Sequence, residues 1–203
     1  MVEPEAGPRS KRAAILTAAV DCFGESGFEA TKWSTVAERV GIGQTALYHY
    51  FESKTHCLLT IMRLELQRSH DRFTEATEDI TDPVEALRAA VRAAYDVSAH
   101  EVLQMRILQS HMDLLSGARG SKREEAERVA ARQLVQVVER DWTNLLVRGM
   151  SQGVFPLRDA QLLGAGVLGL IVSVWRWYRP SGPTPLSEIS ELIEGSCVRM
   201  VAT

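Results

Sequence analysis

The chain is short of the features that mark several large protein classes. Its three cysteines, Cys22, Cys57 and Cys197, stand far apart among 203 residues and form no CxxC pair. No disulfide framework or zinc-finger spacing is present. The N-terminal segment MVEPEAGPRSKR holds charge and proline but lacks the apolar core of a secretory signal. The longest charge-free run, Ala160 to Trp175, is too short and too glycine-rich for a membrane span. We therefore expect a reducing, cytoplasmic protein with no membrane segment. A surplus of positive charge is missing too: the formal net charge is −3. Residues 1–58 hold six Lys/Arg and seven Asp/Glu, so bulk charge gives no support for a nucleic-acid partner. Local placement matters more, because phosphate contacts act at short range under salt screening. Catalytic contexts are also absent. His100, His111 and Asp113 stand in no HExxH, paired-carboxylate or GxSxG setting, so no enzyme, cofactor or metal site is expected.

Strand signals are nearly absent, and proline and glycine sit between helical patterns, so the chain reads as all-α. Residues 1–9 are expected to be a disordered arm. A first helix over 10–26 carries an apolar stripe of Ile15, Leu16, Ala19, Cys22 and Phe23. Gly27 suits its C-terminal stop, with Phe28 packing back on Phe23. Thr31 reads as the N-cap of a helix over 32–40 that ends at Gly41. A third helix covers 44–50, and a fourth follows Ser53 toward Phe73. Asp82-Pro83 pairs an N-cap with proline at the first helical position and opens a helix to about His100. Further helical patterns cover 101–115, 122–149, 159–178 and 187–200.

Thr31 to Lys54, TKWSTVAERVGIGQTALYHYFESK, is the most informative stretch. Two short helices joined by a tight glycine turn, the second one polar outside, form the layout of a helix-turn-helix DNA reader. At 100° per residue the second helix divides in two. Ala46, Leu47 and Tyr50 should pack on Val36, Ala37 and Val40, while Gln44, Thr45, Tyr48 and His49 face a major groove. Gln44 suits adenine, and the Thr45 methyl suits thymine. Tyr48 and His49 suit phosphate oxygens. Thr31, Lys32 and Lys54 complete the expected DNA-binding set, Lys54 on a phosphate at a helix N-terminus. The bland alternative is a helical hairpin inside a core; the coincidence of glycine turn, polar face and basic flanks speaks against it.

The pattern T…VA…G(I/V)…LY.YF.SK, after a helix ending …F…GF.A, resembles the TetR family of bacterial transcriptional regulators over about residues 10–62. It places Gly27, Thr31, Ala37, Gly41, Leu47, Tyr48, Phe51 and Lys54 in register. The resemblance implies an N-terminal three-helix DNA-binding domain with a helix-turn-helix (10–56) and a C-terminal helical ligand-binding and dimerisation domain (57–203). It also implies a homodimer on an inverted-repeat operator in double-stranded DNA, and repression relieved by a small molecule. Two departures stand out. The family often has Ser or Thr where Gly43 stands, and a small residue where Thr45 stands.

The segment VWRWYRPSGPTPLSE, Val174 to Glu188, is similar to a WYRPGGP segment in a subset of the family. That subset includes repressors of lipid and steroid breakdown that answer to coenzyme A thioesters. A lipophilic effector is therefore expected, an acyl-CoA among the candidates. The charge-free helix with its strip of Gly166, Gly169 and Ser173 suits a four-helix dimer seam with two copies of the last helix; burial inside one chain is the alternative. Expected ligand-binding residues are Met105, Leu108, His111, Met112, Trp142, Leu145, Leu146, Trp175 and Arg176. Each apolar member is equally consistent with ordinary core. Arg176 and Arg179 suit an anionic ligand, or a bond to the connector, or a bridge to Glu188 or Glu191. The competing function is an effector-independent, nucleoid-type DNA-binding protein.

Overall fold

The computed structural model describes residues 8–202. Most of the arm expected at 1–9 lies outside that range, while Pro8 and Arg9 belong to the first helix. The helices are α1 (Pro8–Ser26), α2 (Trp33–Val40), α3 (Gln44–Tyr50), α4 (Lys54–Thr77) and α5 (Pro83–Tyr95). They continue with α6 (Ala99–Ser110), a 3₁₀ turn (Met112–Leu115), α7 (Lys122–Ser151), α8 (Ala160–Trp177) and α9 (Leu186–Ala202). Among the described residues there is no strand.

Local chemistry explains most boundaries. Side chains cap the orphan amides at the starts of α4, α5, α7 and α8. Ser53 accepts from the His56 amide, Asp82 from Val84 and Glu85, Ser121 from Arg123 and Glu124, and Asp159 from Gln161 and Leu162. α1 stops at Gly27, whose φ of 82° is left-handed, and Phe28 folds back edge-on to Phe23 at 5.2 Å. α2 stops at Gly41 with φ 71°.

Three boundaries differ from the sequence reading. Thr31 does not cap α2: its hydroxyl donates inward to the carbonyls of Gly27 (2.7 Å) and Cys22 (3.0 Å), and Lys32 occupies the cap position without a side-chain bond. α5 ends at Tyr95, because residues 96–98 break the chain. Ser98 and Glu101 then form a reciprocal capping box that starts α6 afresh. α6 itself ends at Ser110 and passes into the 3₁₀ turn, five residues short of the expected helical limit.

Two apolar clusters build the core. The first joins α1, α2 and α3 through Ile15, Phe23, Val36 and Leu47. It runs on through Phe51, Leu58 and Met62 of the α4 region to Ile107 and Leu108 of α6. No gap in packing therefore marks the expected division after residue 56. The second cluster joins α5 to α9 around Leu87, Trp142, Ile171, Trp175 and Cys197. Burying side chains of this size contributes about 1.5–3 kcal/mol each. α4 runs through both clusters and lies parallel to α7, with His70 beside Asp141 and Ser53 beside Glu124. One continuous helix thus ties the first domain to the floor of the second.

Candidate nucleic-acid interface and effector cavity

α3 presents the division its sequence predicts. Leu47 is fully buried, Ala46 and Tyr50 are half-buried, and Gln44, Thr45, Tyr48 and His49 are exposed. Lys32 is exposed at the start of α2. These five side chains stand free on the first domain with the donor and acceptor types that groove and phosphate contacts require. Gly43 caps α3 with φ −68° and no side-chain bond.

Two members of the expected DNA-binding set face inward instead. Thr31 is buried, its hydroxyl engaged as described. The Lys54 ammonium donates to the carbonyls of Phe28 (2.6 Å), Thr31 (3.0 Å) and Glu29 (3.2 Å), and lies 4.4 Å from the centre of the Phe28 ring. All three of its N–H donors have a backbone partner, so Lys54 clamps the α1–α2 loop to α4 rather than reaching for a phosphate. Its position after the recognition helix suggested the phosphate role; the fold of the loop, which is tertiary information, supplies carbonyl partners for its donors instead.

Charged contacts tie the reading domain to the rest. Glu127 of α7 meets Arg63 of α4 at 2.5 Å and Arg12 of α1 at 3.8 Å. Arg12 also lies over the Phe51 ring at 4.7 Å. Ser53 meets Glu124 at 2.5 Å, and Ser121 donates to Glu52. On the other side, His100 of α6 lies 3.3 Å from Asp21 of α1. Leu103 of α6 packs where Gly24 leaves room on α1. The reading domain is therefore held by both α6 and α7.

Between α4, α5, α6, α7 and α8 lies a cavity of about 210 Å³. Five expected ligand-binding residues line it: Met105, Leu108, Met112, Trp142 and Trp175. Four do not. His111 closes α6, its Nδ1 2.8 Å from the Ile107 carbonyl and its ring edge-on to Phe28 at 5.4 Å. Leu145 and Leu146 lie one helical turn beyond Trp142, in the second core cluster. Arg176 is exposed at the end of α8.

The polar lining was missed by the sequence reading. Arg72, Ser69, Gln109 and Glu139 interrupt an otherwise apolar wall. The available signal was Glu65, an acid on the buried face of α4 in line with Ile61, Leu58 and Arg72 at helical spacing. Glu65 is fully buried and receives Arg68 at 2.7 Å and Arg72 at 2.9 Å. An open groove of about 790 Å³ along α7 and α8 adjoins the cavity and shares Glu139, Leu168 and Val172 with it.

α8 is long and apolar enough to cross a membrane by length and composition alone, yet only 28% of its residues are buried within the chain. Its uncovered face carries Leu162, Ala165, Gly166 and Gly169, and α9 exposes Leu192. Among the described residues, no group of three or more His, Cys, Asp or Glu is placed to hold a metal.

Known proteins share both halves of this arrangement. Residues 15–61 match the family described as "Bacterial regulatory proteins, tetR family", and residues 81–201 match "Tetracyclin repressor-like, C-terminal domain". The transcriptional repressor KstR2 of Rhodococcus jostii is 25% identical over 187 residues, covering 91% of this chain and 88% of the repressor. The crystal structure of the regulator PfmR from Thermus thermophilus superposes with a TM-score of 0.77 at 30% identity, covering 91% of this chain and 97% of that one. AibR, solved with isovaleryl coenzyme A and operator DNA, has the same fold (TM-score 0.73, 21% identity, 95% of this chain and 98% of AibR). The chain spans about half the length of the first curated relatives it matches. The 81–201 match alone covers more than half of the sequence, and the chain belongs to the tetR family of bacterial regulatory proteins.

Proposed function

We propose that this protein is a cytoplasmic, homodimeric transcriptional repressor, released from an inverted-repeat operator by a small lipophilic effector. The observation that carries the reading is structural continuity. A helix with an exposed polar face (Gln44, Thr45, Tyr48, His49) is joined through α4 to the wall of a largely apolar cavity. An effector-independent DNA-binding protein has no use for such a cavity. The similarity to KstR2, a repressor, supports the sign of regulation.

A coenzyme A thioester is the effector class we favour. AibR was solved with isovaleryl coenzyme A, and here an apolar inner cavity opens beside a larger groove. The acyl group would occupy the cavity, and the polar remainder would lie along α7 and α8. The dimer is supported by the uncovered Leu162 and Gly166 of α8 and Leu192 of α9, which lie outside that groove. Two α3 helices held about 34 Å apart would then enter successive major grooves. Effector binding shifts the populations of two head separations by its difference in affinity for them.

The test is a gel shift with DNA flanking the protein's own gene, with and without a panel of acyl-CoA thioesters. Tight binding to an inverted repeat, relieved by one thioester, is the expected result. Binding without sequence preference would favour the nucleoid-type reading. Specific binding untouched by the whole panel would discard the thioester.

A further inference from the structure

The cavity is small. An engineered apolar cavity of about 150 Å³ holds a benzene, so about 210 Å³ suits a short acyl chain or one substituted ring. It is also polar at one defined place. Arg72 stands on its wall, and among the described residues only two of the five N–H donors of its guanidinium have protein partners. Nη2 meets Glu65 at 2.9 Å and Nη1 meets Glu101 at 3.4 Å, while Nε is buried with none. The charge of this group is nevertheless already balanced. Arg68 and Arg72 face Glu65 and Glu101, and Glu139 adds a further carboxylate to the lining. A ligand carboxylate would bring surplus negative charge into a poorly hydrated space. An uncharged oxygen would use the spare Nη donors without upsetting the balance.

We propose that Arg72 is the polar recognition point of this cavity, and that it reads the carbonyl oxygen of an uncharged acyl or aryl ketone-like group on a short apolar body. The proposal rests on the cavity being the effector site. It also supplies a route to the DNA-reading domain. A ligand oxygen competes with Glu101 for the guanidinium, and the 3.4 Å contact is the weaker of its two bonds. Glu101 closes the first turn of α6, next to His100, which meets Asp21 of α1. Drawing Arg72 off Glu101 therefore loosens α6 at the turn that holds the reading domain.

Three shape-matched probes test this in the full-length protein by NMR titration: acetophenone, ethylbenzene and benzoate. Acetophenone should bind wild type about tenfold or more tighter than ethylbenzene, the measured worth of a hydrogen bond to a charged group. Arg72→Met should bring acetophenone to the level of ethylbenzene. Should Glu65, left with Arg68 alone, prevent folding, the double variant Glu65→Gln/Arg72→Met should show the same loss. Glu101→Gln, which keeps the capping box but frees Arg72, should widen the preference for acetophenone. Equal binding of the two neutral probes, or a preference that survives loss of Arg72, overturns the role of Arg72 and leaves the cavity reading intact. Benzoate binding tighter than acetophenone overturns the uncharged-oxygen claim. Failure of all three probes to bind overturns the cavity as a ligand site, and this inference with it, without touching operator recognition.

Discussion

Lys54 and Gln44 lie ten residues apart and have opposite surroundings. The Lys54 ammonium has a backbone carbonyl for each of its three donors, whereas Gln44 stands exposed on α3. Lys54→Met should therefore lower stability by about 1.5–3 kcal/mol, the usual worth of a hydrogen bond to a charged group. It should weaken all DNA sequences together while leaving the log–log salt slope unchanged. A slope lowered by about one would restore the phosphate role. Gln44→Ala should instead alter sequence preference, by about 1–3 kcal/mol at one base pair.

His56 gives a residue-scale dependence on pH. Burial lowers its pKa, and its Nδ1 accepts from the Glu52 amide at 3.3 Å, which requires the neutral ring. The unfolded chain then takes up this proton at a higher pH than the folded one. The stability from His56 is complete above the ordinary histidine value of about 6.5. It declines as pH falls below that value and is fully lost below the folded-state pKa. His56→Asn, whose Oδ1 replaces Nδ1, should flatten the fall in urea-unfolding stability between about pH 7 and 5. An unchanged slope in the variant would contradict this.

At the scale of elements, the turn after α7 sets a tight constraint. Gly153, with φ 71°, lets the chain reverse, and the amides of Val154 and Phe155 both return to the Gly149 carbonyl. Phe155 then packs against Gly149, where an added methyl would fall inside the van der Waals surface of the ring. Gly149→Ala gains helix propensity of about 1 kcal/mol. It should nonetheless destabilise the protein by about 1–3 kcal/mol through overpacking, read as a lower thermal midpoint. A raised midpoint would show that Phe155 moves aside freely.

Elements with local causes were legible in the sequence. Asp82-Pro83, Ser53, Gly27 and Gly41 mark boundaries through bonds within a few residues, and the faces of α3 follow from helical period alone. The α5–α6 break was readable too, as Ser98 followed by Glu101, but the sequence reading carries α5 a few residues too far, to about His100. What could not be read depends on distant chain. Whether Lys54 meets phosphate or carbonyl is decided by the α1–α2 loop, 23 to 26 residues earlier. Whether an apolar residue lines the cavity or fills the core turns on one helical turn, which separates Trp142 from Leu145 and Leu146.

At the scale of the whole molecule, the first apolar cluster and one long helix, α4, join the two halves. Glu127 and Glu124 of α7, and His100 of α6, hold the reading domain from two sides. In the proposed mechanism, a change in the cavity that moves either helix would be felt at α1 and α4. The other outward feature is the apolar face of α8 and α9, where Leu162 is 72% and Leu192 is 65% exposed. If this face is the seam between two copies, the double variant Leu162→Glu/Leu192→Glu should run as a folded monomer in light scattering. It should also lose tight operator binding, because one head makes only half of the contacts. A variant that stays dimeric would place the seam elsewhere.

The central claim is that the cavity and the DNA-reading face are energetically coupled. The direct measurement is operator affinity by fluorescence anisotropy at fixed salt, with and without saturating isovaleryl coenzyme A, alongside calorimetry showing that the thioester binds. We predict at least about a tenfold loss of operator affinity, within the usual range of coupling free energies. Thioester binding that leaves operator affinity unchanged would contradict the account.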